Sequence, residues 1–151
     1  FNDGQTHNIE HGHYIIGIPT NHFPNPQYPT GTATYTGTIQ GDYTNHNTNT
    51  RENGAIGGNF TLNANFNSDI LSATINATRN GSAWATAHGD NIQFNRSENN
   101  FSGNMTVDEG GNGQINGLFY GNQAQETAGG FYIDKQSGDG GGASGIFRGK
   151  R

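Results

Sequence analysis

Four of the six histidines in this sequence crowd near its start: His7, His11, His13 and His22. Three of them fall within His7-Asn8-Ile9-Glu10-His11-Gly12-His13-Tyr14. In an extended strand His11 and His13 share a face; in a helix His7 and His11 do. Neutral imidazole ligates Zn, Cu, Ni and haem iron. His7, His11 and His13 are therefore a candidate set for a bare transition metal. His7, His11, His13, His22 and Tyr14 are candidate contacts for a haem. Ile15, Ile16, Ile18 and Phe23 follow directly and offer the apolar wall that a haem needs. The competing reading is a polar arm with solvated imidazoles, and the residues leave the two open.

Other titratable groups carry weaker chemistry. His46 sits in the Asn/Thr loop from Asn45 to Asn53, and His88 precedes Gly89-Asp90. Both are expected on the surface and are second-choice ligand contacts. Asp108-Glu109 lies in a glycine-rich turn. Two carboxylates without further oxygen ligands make a poor Ca²⁺ site, so a solvated turn is expected. Glu126 has no partner carboxylate and is expected to hydrogen-bond loop backbone rather than serve as a general acid. There is no cysteine, and no Gly-x-Ser-x-Gly, His-Glu-x-x-His or phosphate loop occurs. The expectation is a binding protein and not an enzyme.

The elements that must position these residues are strands. Phe60, Leu62, Ala64 and Phe66 alternate with polar residues, and so do Leu71, Ala73, Ile75 and Ala77 after the turn Asn67-Ser68-Asp69. These two runs predict a hairpin. Ala83, Ala85 and Ala87 predict a third strand, with Trp84 on its opposite face. Further strands are predicted over Phe101–Val107, Ile115–Tyr120, Gly129–Asp134 and Ala143–Arg148, and upstream over Gly31–Gly41. No useful stretch has helical periodicity; Asn122–Glu126 has the length of one turn. About eight strands at spacings of roughly 10–15 residues predict an antiparallel meander. Few Lys or Pro residues guard the strands, so closure into a small barrel is expected to remove the edges. Phe60, Leu62, Phe66, Leu71, Ile75, Met105, Ile115 and Phe119 are expected to fill its lumen, which sends a ligand to the outside.

The whole is read as all-β: a small closed antiparallel barrel at residues 31–151, with a short His/Pro-rich N-terminal segment at residues 1–30. That segment carries a possible strand at Tyr14–Ile18, then an extended linker from Pro19 to Pro29. Net charge is −5 and the seven Lys and Arg are scattered, which argues against nucleic acid as a partner. Only 29% of residues are hydrophobic and 13% charged, a disorder-like balance that the regular alternation overrules.

The C-terminal third carries a resemblance. Gly117-Leu118-Phe119-Tyr120-Gly121, then Ala124 and Glu126, then Gly129-Gly130-Phe131, resembles a motif of the transferrin-binding-protein-B-like β-barrel family. The ending Gly145-Ile146-Phe147-Arg148 is similar to that family's terminus, and Gly31-Thr32-Ala33-Thr34-Tyr35-Thr36-Gly37 to its opening strand. Relatives include haemophilins and the factor-H-binding and heparin-binding surface lipoproteins. The resemblance implies a secreted or surface-exposed protein of a Gram-negative bacterium that captures haem or a haem-bearing host protein. A host-protein interaction module without cofactor is the alternative, and a transition-metal binder the third. Implied partners are a host haem protein, or another host surface or serum protein, and an outer-membrane export or receptor protein. About 27 residues precede the barrel, fewer than a separate handle domain needs.

Overall fold

The computed structural model describes residues 15–23, 25–46 and 52–151. Eight strands run β1 (Thr32–Asn45), β2 (Asn53–Asn65), β3 (Ile70–Arg79), β4 (Ser82–Asn95), β5 (Asn100–Val107), β6 (Gly111–Tyr120), β7 (Glu126–Lys135) and β8 (Gly141–Lys150). Every strand pairs antiparallel with the next, and β8 returns to β1, so the sheet closes on itself. The described helical content is one 3₁₀ turn, Thr20–His22. Each strand predicted within residues 31–151 has its counterpart, and β1 and β4 run longer than the alternation suggested.

Closure depends on small residues at the β1–β8 seam. A Cβ added to Gly37 would stand 1.8 Å from the Arg148 carbonyl oxygen, and one on Gly145 would stand 2.1 Å from that of Gln40. Only glycine permits that approach. The inward face is packed with rings. Phe60 stacks on Phe147 at 4.3 Å, and Phe119 lies 5.1–5.5 Å from Phe94, Tyr35, Phe66 and Phe101. All eight residues expected in the lumen are buried there.

Trp84 corrects the expected phase. It is 3% exposed, beside an equally buried Ala85, while Ala83 is exposed. The register between β3 and β4 slips between Ala77 and Thr78, so two successive β4 residues turn inward. A bulge does this by setting two residues against one. A second irregularity between His88 and Gln93 lets β4 continue to Asn95, so Ile92 and Phe94 also reach the core.

Two hairpin turns share one device. The Asn65 side chain accepts the amides of Asn67 (3.0 Å) and Ser68 (3.4 Å), and Asn95 accepts those of Ser97 (3.1 Å) and Glu98 (3.3 Å). Each turn then leaves through a left-handed residue, Asp69 (φ 54°) or Asn99 (φ 55°). Asparagine and aspartate tolerate this conformation and supply the turn-closing acceptor. Asn99 is fully buried; its amide donates to the Phe119 carbonyl (2.8 Å) and accepts the Phe119 N–H (3.3 Å).

Candidate functional site

Residues 15–23 and 25–30 form a strap over the end of the barrel that carries the β2–β3, β4–β5 and β6–β7 turns. Pro19 makes a single antiparallel bridge to Tyr120, and the Gly121 amide donates to the Ile18 carbonyl at 3.1 Å. Gly17 lies on the Tyr120 ring, where a Cβ would be 2.7 Å from Cδ1. The Gln27 amide donates to the Asn122 carbonyl at 2.8 Å. Tyr28 then packs edge-on against Phe94 at 5.2 Å and against Phe119 at 6.4 Å. The strand expected at Tyr14–Ile18 is corrected: residues 15–18 are extended but belong to no strand. The closed barrel offers no free edge for them to join.

Ile16 and Ile18 are 86% and 60% exposed on this strap. Beneath it, a groove of about 550 Å³ runs along the outer wall, lined by Ile15, Ile16, Tyr120, Glu126, Arg148 and Lys150 among others. Burial raises the Tyr120 hydroxyl above its ordinary pKa. Beside the strap's return, Arg96 stands among aromatic rings, 5.2 Å from the Tyr28 centroid and 5.8 Å from that of Phe94. Its Nη2 donates to the Phe66 carbonyl and to Asp69 (2.6 Å). Burial pushes the Tyr28 hydroxyl's pKa up, and the Arg96 charge pulls it partly back.

The opposite end is cross-braced. Lys135, 7% exposed, donates to the Trp84 carbonyl (2.7 Å) and to Asp139 (2.5 Å), while the Trp84 indole donates to the Asp139 carbonyl (3.3 Å). The hydrogen bond from Lys135 holds the Asp139 carboxyl below the ordinary carboxylate range. Arg79 pairs with Glu52 and covers the Tyr43 ring at 4.2 Å. These groups satisfy one another and plug the barrel; they leave no poised acid or base.

His7, His11, His13 and Tyr14 lie outside the described residues. His22 is exposed on the 3₁₀ turn. His46 sits 2.7 Å from Asp134 and His88 2.9 Å from Asp108, both on the surface as expected. The Asp108-Glu109 turn is accounted for by that pair and by Glu109 accepting the Thr86 amide (3.1 Å). Among the described residues no three His, Cys, Asp or Glu side chains come together for a metal. Glu126 is corrected. It opens β7, exposed, while Gln125 fixes the turn by accepting the Gln123 amide (3.1 Å) and donating to Asn122 (3.2 Å).

The motif residues have clear tasks. Gly117 leaves the space that the Phe101 and Phe147 rings fill, and Phe119 centres the aromatic cluster. Tyr120 and Gly121 receive the strap. Ala124 is left-handed (φ 53°) and fully buried, and its carbonyl accepts the Tyr35 hydroxyl (2.7 Å) and Arg151 Nε (3.2 Å). Gly129 and Gly130 lie in β7 opposite Gly117 and Asn116, and Phe131 is buried. Sequence reasoning missed Arg96 and Tyr28. An arginine just after an Asn-closed turn, and a tyrosine among prolines, were the available signals.

The family model for the C-lobe and N-lobe β-barrels of transferrin-binding protein B matches residues 28–151. Isotype 1 transferrin-binding protein B from serogroup B Neisseria meningitidis has a similar fold: TM-score 0.57, 21% identity, covering 89% of this chain and 28% of that one. A transferrin-binding protein B variant from Haemophilus parasuis Hp5 superposes at TM-score 0.54, with 18% identity, over 82% of this chain and 27% of its own. A crystallised surface lipoprotein gives TM-score 0.54 and 15% identity over 89% of this chain and 65% of that one. The chain thus spans less than two thirds of each of these solved chains. No curated protein matches it in sequence.

Proposed function

Since the chain belongs to the family of the C-lobe and N-lobe β-barrels of transferrin-binding protein B, we propose that it is a non-catalytic capture domain on the outer surface of, or released from, a Gram-negative bacterium. Its partner is a host serum protein, a haem-bearing one included, held by the strap-capped end. The observation that carries this reading is a closed barrel filled by its own rings, with its most exposed isoleucines, Ile16 and Ile18, on the strap. A filled lumen leaves recognition to outer surfaces, and exposed apolar side chains are what a protein interface buries. The similar solved structures of transferrin-binding protein B favour a protein partner. An outer-membrane export or receptor partner belongs to the same proposal.

The test is capture from host serum on the immobilised protein, beside an Ile16→Asp/Ile18→Asp variant. The wild type is expected to retain one serum protein that the variant loses, with an unchanged unfolding temperature, because both side chains face solvent. Equal capture by the two proteins contradicts the strap's role.

A second reading, direct haem capture, is favoured by the groove under the strap. Its lining joins the apolar Ile15, Ile16 and Tyr120 with the cationic Arg148 and Lys150 and one acid, Glu126, and Ile15 follows His7–Tyr14 in the sequence. Apolar walls suit a porphyrin face and cations suit its carboxylates. The packed interior does not fit a haem, so this outer groove is the place for one. Titration with haemin is expected to give a Soret band that His7→Ala, His11→Ala or His13→Ala weakens. A spectrum of free haemin throughout ends this reading.

A further inference from the structure

The capped end holds a second pocket, of about 630 Å³, lined by Asn21, Pro26, Gln27, Tyr28, Arg96 and Ser97. We propose that it is a carboxylate-binding subsite built on Arg96 and Tyr28. The inference deepens the capture reading above and rests on it for its biological setting, but not for its chemistry.

Arg96 is half-used. Its Nη2 serves the Phe66 carbonyl and Asp69, while Nε and Nη1 donate to no acceptor among the described residues. The Tyr28, Phe94 and Phe66 rings, with centroids 5.2, 5.8 and 5.9 Å away, hold the guanidinium in place. Its side chain is still 40% exposed. The Tyr28 hydroxyl oxygen is buried and has no hydrogen-bond partner among the described residues. A buried hydroxyl left unpaired costs free energy that a ligand can restore.

The unused groups are Arg N–H donors and a Tyr O–H. The ligand must therefore accept, and the parallel N–H edge of a guanidinium matches a carboxylate. The facing charges set the strength. Asp69 already shares the Arg96 charge through Nη2, and Glu98 is next to Ser97, with one oxygen accepting from Asn100 Nδ2 at 3.0 Å. Arg96 is the one charged side chain of the lining, and with Asp69 and Glu98 nearby the local sum is −1, so an isolated carboxylate binds weakly and contributes chiefly as one contact of a larger interface. An acidic side chain of a protein partner and a sialic acid on its glycans present the same group.

The experiment follows the Arg96 Nε–Hε resonance of the ¹⁵N-labelled full chain. The probes are N-acetylglutamate N-methylamide, its neutral glutamine isostere and N-acetylneuraminate. At least one acidic probe is expected to shift the resonance saturably, with the isostere weaker by about tenfold or more; whichever acid binds better identifies the source. Tyr28→Phe keeps the ring and removes the hydroxyl. It is expected to weaken acid binding about threefold without lowering the unfolding temperature. Arg96→Lys keeps the charge but loses the fork; followed on the backbone amide resonance of Ser97, which also lines the pocket, it should abolish the saturable shift that the wild type shows there. If Arg96→Lys does not fold, the isostere comparison and Tyr28→Phe still decide. No saturable shift with either acid, an equal response to the isostere, or full binding by Tyr28→Phe each overturns the proposal. Serum capture reads out independently, so failure here and failure of the capture reading are distinguishable.

Discussion

Asp139 shows how a single residue's charge supports this barrel. The hydrogen bond from buried Lys135 favours its ionised form, so its folded-state pKa lies below the unfolded value. The unfolded chain then takes up the proton first as pH falls. The stabilisation is whole above the ordinary aspartate value of about 3.9 and is lost as pH drops through the lower folded value. The carboxylate is 57% exposed. Solvent screening therefore limits the pH-dependent part to about 1 kcal/mol at most. Asp139→Asn should lower the unfolding temperature at neutral pH, and its difference from wild type should shrink as pH falls below the ordinary aspartate value. A constant difference across that range in calorimetry would show that the pair carries no linkage. Little of this was legible in the sequence. Lys135 and Asp139 look like ordinary charges around a glycine-rich loop, and only the inward turn of Trp84 gives the ammonium a carbonyl to bind. Arg96 and Tyr28 were hidden for the same reason: their contacts join distant parts of the chain. Phe60, Leu62, Ile75 and Ile115, by contrast, announced their burial through alternation alone.

At the scale of elements, alternation located every strand but misjudged phase and length wherever the pleat broke. Trp84 was assigned outward because a strict period of two admits no bulge, and the slip beside Thr78 reverses the remainder of that face. The second half of β4 went unseen, since His88-Gly89-Asp90-Asn91 reads as a loop although Ile92 and Phe94 continue inward. The segment was read as a proline-rich extended linker, a reading that misses the 3₁₀ turn at Thr20–His22, and its docking was not readable. What seats it is a glycine lying on Tyr120, a lone bridge at Pro19, and Tyr28 meeting the rings at the barrel's end. Few backbone hydrogen bonds hold it. Its exposed isoleucines can therefore bind without disturbing the ladder, which is why the serum test places its substitutions there.

For the whole molecule, closure followed from the want of edge protection as well as from the family resemblance, and the β1–β8 pairing meets both expectations. The sequence bears on the proposed ligand's place only by exclusion: a barrel of this size spends its lumen on side chains, which is why the proposal puts binding outside. The histidines that drew the first attention, His7, His11 and His13, are the residues that the haemin titration addresses. The strap-capped end adds what they lacked, namely surfaces with defined walls: the groove by Arg148 and the pocket by Arg96. The division of labour we propose is a self-sufficient barrel and a strap that confers recognition, with the boundary set just before Tyr28 because its ring packs against the core.

That division is tested most directly by comparing the full chain with residues 28–151 in two readouts, thermal unfolding and capture from host serum. The shortened protein keeps every strand and the Tyr28 ring. It should unfold in one cooperative transition, within about 10 °C of the full chain given the few contacts removed, and it should capture nothing. A shortened protein that captures the same serum component at full strength would contradict the account and move recognition to the barrel wall; one that fails to fold would show that the strap is part of the barrel's own core.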